Sequence, residues 1–424
     1  MNSTHVKVDS WAISMENIYA AKMRLRGTAI QTPLQRNYHF SARYNCNIFL
    51  KREDLQVVRS YKIRGAFNKI ATLTQEELDR GVVCASAGNH AQGVAFACKA
   101  LGTNGRIYMP SVTPRQKVHK VKLFGEDHVE VILTGDTFDD AHQAALEAQK
   151  LEGRAFIHPF DDHRVIEGQG TVGLEVLEDL NEPVDYVFVP VGGGGLASGL
   201  GSCVKQISPR TKVVGVEPTG AAAMHAAFQA GKVVELDNID SFVDGAAVRR
   251  VGEQTFRICR KVLNGIVLVP EGKVCTAILQ LYNEEGIVVE PAGALSIAAL
   301  DEYRDLIRGK NVVCVISGSN NDIARTGEIR ERSLLYEGLK HYFVVRFPQR
   351  AGALREFVNE VLGPSDDITH FEYIKKNNRE AGPALVGIQV QKKEDAAALM
   401  QRLTNSRMDF QSLNDNQLLF ELLV

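Results

Sequence analysis

The sequence lacks the features that would place the chain in a membrane or on a nucleic acid. None of its 424 residues lies in an uncharged apolar run of about 18, the length that a membrane-spanning helix needs. There is no run of about five or six like charges, and the formal net charge is only −2. The opening residues show no basic start followed by an apolar core. We therefore predict a cytosolic protein that binds neither nucleic acid nor membrane.

The cysteines lack the spacing of a zinc or redox site. All seven are scattered, no C-x-x-C pair occurs, and most stand in apolar runs such as "VVCAS" and "VVCVIS". This distribution predicts reduced thiols packed in the core, and neither disulfides nor a metal site. The composition, 45% hydrophobic and 24% charged, is that of a globular chain long enough for about two or three domains.

Up to about residue 330, apolar segments bounded by glycine alternate with helical patterns. A strand, a turn and a helix are predicted in "GVVCASAGNHAQGVAFACKALG". The same order returns in "VDYVFVPVGGGGLASGLGSCVKQISPRTKVVGVEP", and a last strand ends in "NVVCVISGSNND". Continuously apolar strands separated by helices predict a parallel sheet covered on both faces, with ligands at the carboxyl ends of its strands.

From about Tyr336 the predicted order of elements is β-α-β-β-α-β. The four strands are in "HYFVVRF", "DITHFEYIKK", "PALVGIQVQ" and "NQLLFELLV", and the two helices are in "GALREFVNEVLG" and "EDAAALMQRLT". This order predicts a ferredoxin-like α+β module. We therefore predict a region 1–330 made of two α/β subdomains and a separate domain 336–424, with the boundary near "RERSLLYEGLKH".

A lysine, Lys62, stands between Arg59 and Arg64 in "RSYKIRG". A lone lysine is usually a solvated surface charge. Two fixed cations lower the pKa of a nearby ammonium, because charging it repels them, and an amine that is partly neutral can attack a carbonyl. Lys62 is therefore a candidate for Schiff-base formation, provided that the chain holds an aldehyde.

A run of four glycines, Gly192–Gly195, follows the apolar strand "YVFVPV" and opens a helix. Backbone N–H groups at such a point can converge on a phosphate. Gly192, Gly194 and Ala197 also fit the dinucleotide pattern G-x-G-x-x-A, and Glu217 ends the next strand, where a ribose-binding acid would lie. A nicotinamide-dependent dehydrogenase is therefore one alternative, and a turn without a ligand is another.

Two further polar turns end predicted strands. The turn "SAGNHAQG" has backbone donors at a helix start, which suit a carboxylate, although an ordinary Asn/Gly turn with a structural His90 has the same pattern. The stretch "VISGSN" either forms an ordinary polar turn or directs a serine hydroxyl into the crevice at the carboxyl ends of the strands.

Taken together, these stretches resemble a known family. In this order, "RSYKIRG", "SAGNHAQG", "VPVGGGGLASG", "VEPAGA" and "SGSN" resemble the serine/threonine dehydratase family of pyridoxal-phosphate enzymes, and "LKREDLQ", "TPRQKV" and "HPFDD" extend the likeness over almost all of residues 15–330. The resemblance implies fold type II, the tryptophan synthase β-like parallel-sheet architecture. The tail resembles the ACT-like regulatory module of biosynthetic threonine dehydratases, and only one such module fits the remaining length.

The resemblance also implies a role for each matched residue. Lys62 would bind pyridoxal 5′-phosphate as an imine and later act as the base, with Tyr61 beside the cofactor ring. Asn89 would meet the ring's 3-hydroxyl and Ser317 its nitrogen, while Glu290 would lie nearby or be a structural acid. The phosphate would lie on the loop of Gly192, Gly193, Gly194, Gly195 and Leu196. The substrate carboxylate would lie at Ser86, Gly88, Asn89 and His90, mostly at backbone atoms.

The implied reaction is the deamination of L-threonine, with L-serine as an alternative substrate, to a 2-oxoacid and ammonia. For threonine the product is 2-oxobutanoate, and the step leads toward isoleucine. Isoleucine and valine are the implied effectors, and a homotetramer or homodimer the implied assembly. The sequence departs from the family at Ala351, where proline is common, and at Ser319, which is often glycine. A non-catalytic amino-acid sensor is a further alternative, although the intact Lys62 speaks against it.

Overall fold

The computed structural model describes residues 13–373, 380–406 and 408–414. Contacts divide the chain into two units, the first made of Met1–Glu271 with Gln280–Asn321 and the second of Gly272–Leu279 with Asp322–Val424. The stretch 330–341, where the change of sequence pattern predicts a domain boundary, thus lies inside the second unit. Within the described ranges, no helix is both long enough and apolar enough to cross a membrane.

The strands of the first unit form two sheets. They are β1 (Leu34–Asn37), β2 (Asn47–Arg52), β3 (Val82–Ala85), β4 (Gly105–Met109), β5 (Val129–Leu133), β6 (Ala155–Phe156), β7 (Tyr186–Pro190), β8 (Lys212–Pro218), β9 (Gly265–Val269) and β10 (Asn311–Ile316). The described strands are ordered β1-β2-β10-β7-β8-β9 in one sheet and β5-β4-β3-β6 in the other. All neighbours are parallel except β1 and β2. The predicted parallel architecture is therefore confirmed.

Helices connect these strands and cover the sheets. Those that begin before residue 322 are α1 (Met15–Leu25), α2 (Tyr38–Tyr44), α3 (Lys62–Ile70), α4 (Gln75–Arg80), α5 (Asn89–Leu101), α6 (Arg115–Gly125), α7 (Phe138–Glu152), α8 (His163–Asp179), α9 (Gly195–Ile207), α10 (Ala223–Ala230), α11 (Glu253–Val262), α12 (Glu271–Glu285) and α13 (Pro291–Ala298). Helix α8 is buried along 165–176 because α1, α3 and α9 pack against it. All seven cysteines are buried, as predicted.

Parallel pairing brings the polar turns of the first unit together. Strands β2 and β10 are neighbours, so the loops at their carboxyl ends lie side by side. Two backbone hydrogen bonds join these loops: the amide of Tyr61 donates to the carbonyl of Ser317 at 3.2 Å, and that of Ser319 to Arg59 at 2.9 Å. The start of α3, with Lys62, is thereby held against the "SGSN" turn.

The second unit contains an antiparallel sheet of ferredoxin-like order. Its elements are α14 (Thr326–Tyr336), β11 (Lys340–Pro348), α15 (Ala353–Val361), β12 (Asp367–Tyr373), β13 (Ala381–Gln389), α16 (Asp395–Asn405) and β14 (Asp409–Ser412). The described strands are ordered β12-β13-β11-β14, and all neighbours are antiparallel. Strand β14 was not predicted. The predicted strand "NQLLFELLV" and the first three residues of the "NNREAG" turn lie outside the described residues.

Candidate active site

The Lys62 amine is enclosed at the amino-terminal end of α3. It donates a hydrogen bond to the carbonyl of Pro159 at 2.9 Å and lies 5.5 Å from the ring centroid of Tyr61. Burial lowers the pKa of Lys62 to about 8, although the carboxylate of Glu290 acts in the opposite direction. The amine is therefore much easier to deprotonate than that of an exposed lysine.

The pKa of Lys62 is lowered as predicted, but the predicted cause is wrong. Arg64 turns its guanidinium away into a buried cluster, where it contacts the carboxylates of Glu53 and Glu175 at 2.7 and 2.6 Å. Its positive charge is neutralised there. The pKa of Lys62 is lowered because the amine is buried, and not because the arginines repel it.

The glycine loop between β7 and α9 is packed from behind. A Cβ at Gly193 would overlap the ring of Phe160, and Gly194 has a φ of 92°, a conformation that favours glycine. The hydroxyl of Thr255 donates to the carbonyl of Gly193 at 2.7 Å. The first turn of α9 begins at Gly195, and its amides lack carbonyl partners within the helix. This arrangement is suited to a phosphate.

The loop "HPFDD" links the lysine to the glycine loop. Its Pro159 carbonyl accepts from Lys62, and the neighbouring Phe160 fills the space behind Gly193. The carboxylate of Asp161 accepts hydrogen bonds from the backbone amide of Thr255 at 3.0 Å and from neighbouring amides at the start of α11. In the sequence, this stretch indicates only the family likeness. Its role in joining the two parts of the site depends on contacts between distant residues.

A hydrogen-bonded group connects α5, α13 and the "SGSN" turn. The Asn89 side-chain amide donates to the Glu290 carboxylate at 2.6 Å and accepts from the side chain of Asn320 at 2.7 Å. Burial raises the pKa of Glu290 to about 7, with a further contribution from Asp244. Glu290 is therefore an ionisable group of the site itself, and Asn320 is a member that sequence reasoning did not single out.

The turn before α5 offers backbone donors. Gly88 precedes the helix, and its own amide donates to the Ser86 hydroxyl at 3.2 Å. The His90 ring bonds through Nε2 to the carbonyl of Ile157 at 2.8 Å, while its buried Nδ1 has no partner among the described residues. Burial lowers the pKa of His90 to about 3, so the ring is neutral and is not a base at neutral pH.

The remaining predicted residues lie at strand ends. Ser317 follows β10 and is buried, with 2% of its surface exposed, and Leu196 is buried to the same degree in the first turn of α9. Glu217 is also buried, but both of its carboxyl oxygens accept backbone amides, from Met224 at 2.8 Å and His225 at 2.7 Å. Glu217 thus anchors the start of α10, and a ribose-binding role is not supported.

Comparison with known proteins decides between the alternatives. Residues 25–318 match the family of pyridoxal-phosphate-dependent enzymes, and residues 331–423 match the C-terminal regulatory domain of threonine dehydratase. The chain is 58% identical over 412 residues to the biosynthetic L-threonine dehydratase of Halalkalibacterium halodurans, covering 97% of this chain and 99% of the relative. The chain belongs to the biosynthetic threonine dehydratases. The dehydrogenase and sensor alternatives are therefore wrong.

Other relatives agree with this family. The Bacillus subtilis biosynthetic L-threonine dehydratase is 58% identical, with coverage of 97% of this chain and 98% of the relative. A processed threonine deaminase isoform from Solanum lycopersicum superposes with a TM-score of 0.71 at 41% identity, covering 76% of this chain and 94% of that one. Maize serine racemase gives a TM-score of 0.71 at 30% identity, covering 77% and 99%. The predicted fold type II catalytic region with an ACT-like domain is confirmed.

The residues present fit the cofactor of this family, pyridoxal phosphate. The fit rests on the donor set: an enclosed amine at Lys62, a loop that only glycine can fill at Gly193 and Gly194, and the free amides at the start of α9. These groups come from separate segments that the fold brings to neighbouring positions. The chain is accordingly a pyridoxal-phosphate-dependent enzyme.

Proposed function

We propose that the chain deaminates L-threonine to 2-oxobutanoate and ammonia, with Lys62 as the catalytic residue. The observation that carries this proposal is the enclosed Lys62 amine, which the "HPFDD" loop connects to the glycine loop. The test is a ketoacid assay with threonine and with serine, using the purified holoenzyme. Absence of 2-oxobutanoate formation from threonine would contradict the proposal.

Each predicted residue receives a role in this site. The glycine loop and Leu196 would hold the phosphate, Lys62 the aldehyde carbon, Asn89 the ring hydroxyl and Ser317 the ring nitrogen, with Tyr61 beside the ring. When bound, pyridoxal phosphate supplies an electron sink for the negative charge that forms at the substrate Cα. The protein residues supply position and proton transfer.

Lys62 is suited to remove the Cα proton. With a pKa of about 8, about a tenth of such amines are neutral at pH 7. The pocket that lowers this pKa also keeps the amine in place, through the carbonyl of Pro159. A base with a pKa near the working pH is the most effective kind.

The turn before α5 would bind the substrate carboxylate. The backbone amides of Asn89 and His90 stand at the start of a helix directly after Gly88, where negative charge is stabilised. The Ser86 hydroxyl shapes the turn by accepting from Gly88, and the His90 ring holds it to Ile157. Binding through these groups would orient the Cα proton toward the amine.

The first prediction concerns Ser317 and the ring nitrogen. Serine is neutral, whereas an aspartate would hold a proton on that nitrogen. Ser317→Asp should therefore slow threonine deamination by about tenfold or more while weakening cofactor binding less. Steady-state rates and cofactor affinity measured side by side provide the test.

The isosteric, neutral variant Ser317→Asn is the matched control. It makes nearly the same change in size, so a loss specific to aspartate isolates the effect of charge. Equal rates for the two variants would mean that Ser317 does not face the ring nitrogen.

We also propose that branched-chain amino acids, isoleucine and valine, bind a cavity in the second unit. The cavity has a volume of about 480 Å³, and its lining includes Phe347, Arg350, Arg355, Val358 and Phe371. This size is typical of small-molecule sites. Arginines suit the effector's carboxylate, and the phenylalanine and valine side chains suit its apolar side chain.

Two features in or next to the lining of this cavity shape the proposal. Gly352 has a φ of 84° directly before α15, and Ala351, which replaces the family's common proline, stands in the same turn. Arg350 is ion-paired with Glu356. The effector carboxylate would have to share or replace this partner, so Arg355 is the better placed of the two arginines.

The second prediction tests this cavity. Replacing both arginines, Arg350→Gln and Arg355→Gln, should remove the response to isoleucine, because a coupling of about 1–3 kcal/mol depends on the effector's binding to one state better. Activity without isoleucine should stay near that of the unchanged enzyme. The measurement is threonine deamination against isoleucine concentration.

The control is Asn359→Ala, an exposed position of the same helix outside the cavity lining. It should leave the isoleucine response intact. A full response in the double variant would exclude this cavity. Point variants are preferable to a shortened chain that ends before Asp322. Such a chain would keep Gly272–Leu279 but lose the rest of the second unit, so the buried side chains of that segment would be exposed.

Two further properties belong to the proposal. The seven cysteines are buried in the core and are not arranged as a disulfide framework along the sequence, which suits a reducing compartment and supports a cytoplasmic location. We also expect a homo-oligomer, a tetramer or a dimer, and light scattering would measure its mass.

A further inference from the structure

A chain of hydrogen bonds runs from Lys120 to Glu290. The Lys120 ammonium, on α6, donates to the side-chain oxygen of Asn320 at 3.2 Å. The side-chain nitrogen of Asn320 donates to the side-chain oxygen of Asn89 at 2.7 Å. The side-chain nitrogen of Asn89 donates to a Glu290 oxygen at 2.6 Å. The chain thus joins a cation to a carboxylate through two amides.

The Lys120 end gives this chain one direction. An ammonium only donates hydrogen bonds, so the Asn320 side chain accepts from it through its oxygen. An amide side chain has one accepting and one donating end, so Asn320 donates through its nitrogen to Asn89, which in turn donates through its nitrogen to Glu290. Two further bonds agree with this direction, since the Asn320 side chain also donates to the carbonyl of Val58 at 2.9 Å and its backbone amide donates to Glu290 at 3.2 Å.

The direction matters most at Asn89. Its nitrogen carries two hydrogens, and one of them is used by Glu290. The second remains available to the oxygen of a bound group, while its carbonyl oxygen is turned toward Asn320. If the amide were reversed, an acceptor would stand where the site presents a donor.

We infer that Lys120 is a positioning residue for the cofactor site, because its ammonium fixes the Asn320 amide and, through it, the donor that Asn89 presents. The inference rests on the proposed function for the role of Asn89. Lys120 bonds to Asn320 and acts on the site only through that residue.

An alternative origin for the Lys120 contact is an ordinary surface interaction. Exposed lysine contacts contribute little, and the bond of 3.2 Å is the longest of the three in the chain. Lys120 is, however, partly buried, and the bond reaches a network whose far end, Glu290, is 4% exposed. The neighbouring Lys117, one turn earlier on α6, pairs instead with Asp244 at 2.7 Å, so the two lysines have separate partners.

The test compares Lys120→Met with Lys122→Met. Methionine keeps most of the apolar length of lysine and removes the donor, and Lys122 is an exposed residue of the same helix. We expect Lys120→Met to weaken pyridoxal-phosphate binding and to lower kcat/KM for threonine, each by about tenfold. Lys122→Met should change neither, and Lys120→Arg should recover most of the loss because it restores a donor.

A double variant separates this inference from a general loss of structure. In an Asn320→Ala background, Lys120→Met should add less than about twofold, because the residue through which it acts is gone. Equal losses with and without Asn320, or no loss in Lys120→Met alone, would overturn the inference. Cofactor affinity is measured without substrate, so it tests the inference even if the protein does not deaminate threonine.

Discussion

Replacing Lys62 by alanine is expected to reduce threonine deamination by about 10³-fold or more, because the variant would lose both the proposed attachment of the cofactor and the proposed base. The enclosed Lys62 amine has a pKa near 8 and bonds to the Pro159 carbonyl. Within the described part of the chain, no other amine donates a hydrogen bond to the Pro159 carbonyl. Formation of 2-oxobutanoate by the purified variant, with excess pyridoxal phosphate, measures the loss.

Borohydride reduction provides a second measurement. Reduction of the unchanged protein should fix pyridoxal phosphate to the peptide that contains Lys62, as seen by mass spectrometry. The matched control is Lys69→Ala on the same helix, whose ammonium pairs with the Asp162 carboxylate at 2.8 Å. This pair is partly exposed and should contribute little to the rate. A Lys62→Ala protein that still carries reducible cofactor would contradict the assignment.

Replacing Arg64 by leucine is expected to lower the free energy of unfolding by about 3–5 kcal/mol. The Arg64 guanidinium is 1% exposed and bridges the carboxylates of Glu53 and Glu175. Lys51 reaches Glu175 at 2.7 Å, so that carboxylate would keep one cation. Glu53 would lose its charged hydrogen-bond donor within a buried site, and an unpaired buried charge is costly.

Urea unfolding of the variant and of Lys22→Ala tests this expectation. The ion pair of Lys22 with Glu178 is partly exposed, with a third of each side chain accessible, and its loss should cost less than about 1 kcal/mol. Because Arg64 stands in the first turn of α3, weakened retention of pyridoxal phosphate should accompany the loss of stability. A change no larger than that of Lys22→Ala would show that the buried cluster does not stabilise the fold.

The amino-acid sequence by itself determined the family and most of the order of elements. Glycines after apolar strands mark the strand ends at "GGGG" and "SAGNHAQG", since only a few residue types permit such turns. The match of whole motifs then assigned the family, and it made Lys62 the proposed catalytic residue. These features consist of residues that are neighbours along the chain, so they can be recognised from the sequence alone.

Strands β2 and β14 could not be recognised from the sequence, because their own residues do not show a strand pattern. Strand β2 contains charged residues, Lys51 and Arg52, that break its apolar pattern, and Lys51 is nevertheless fully buried. Strand β14 has only four residues and depends on pairing with β11. Short or charged strands are defined by their partners more than by their own residue pattern.

Tertiary structure alone decided the electrostatics of the site. The sequence places Arg64 two residues from Lys62, yet in the fold the Arg64 guanidinium forms ion pairs with Glu53 and Glu175. Burial, and not Arg64, lowers the pKa of Lys62. Glu217 fits a ribose-binding position in the sequence, yet its carboxyl oxygens are bound to backbone amides. A pKa and a hydrogen bond depend on neighbours in space and on exclusion of water. Those neighbours are far apart along the chain, so only the folded structure identifies them.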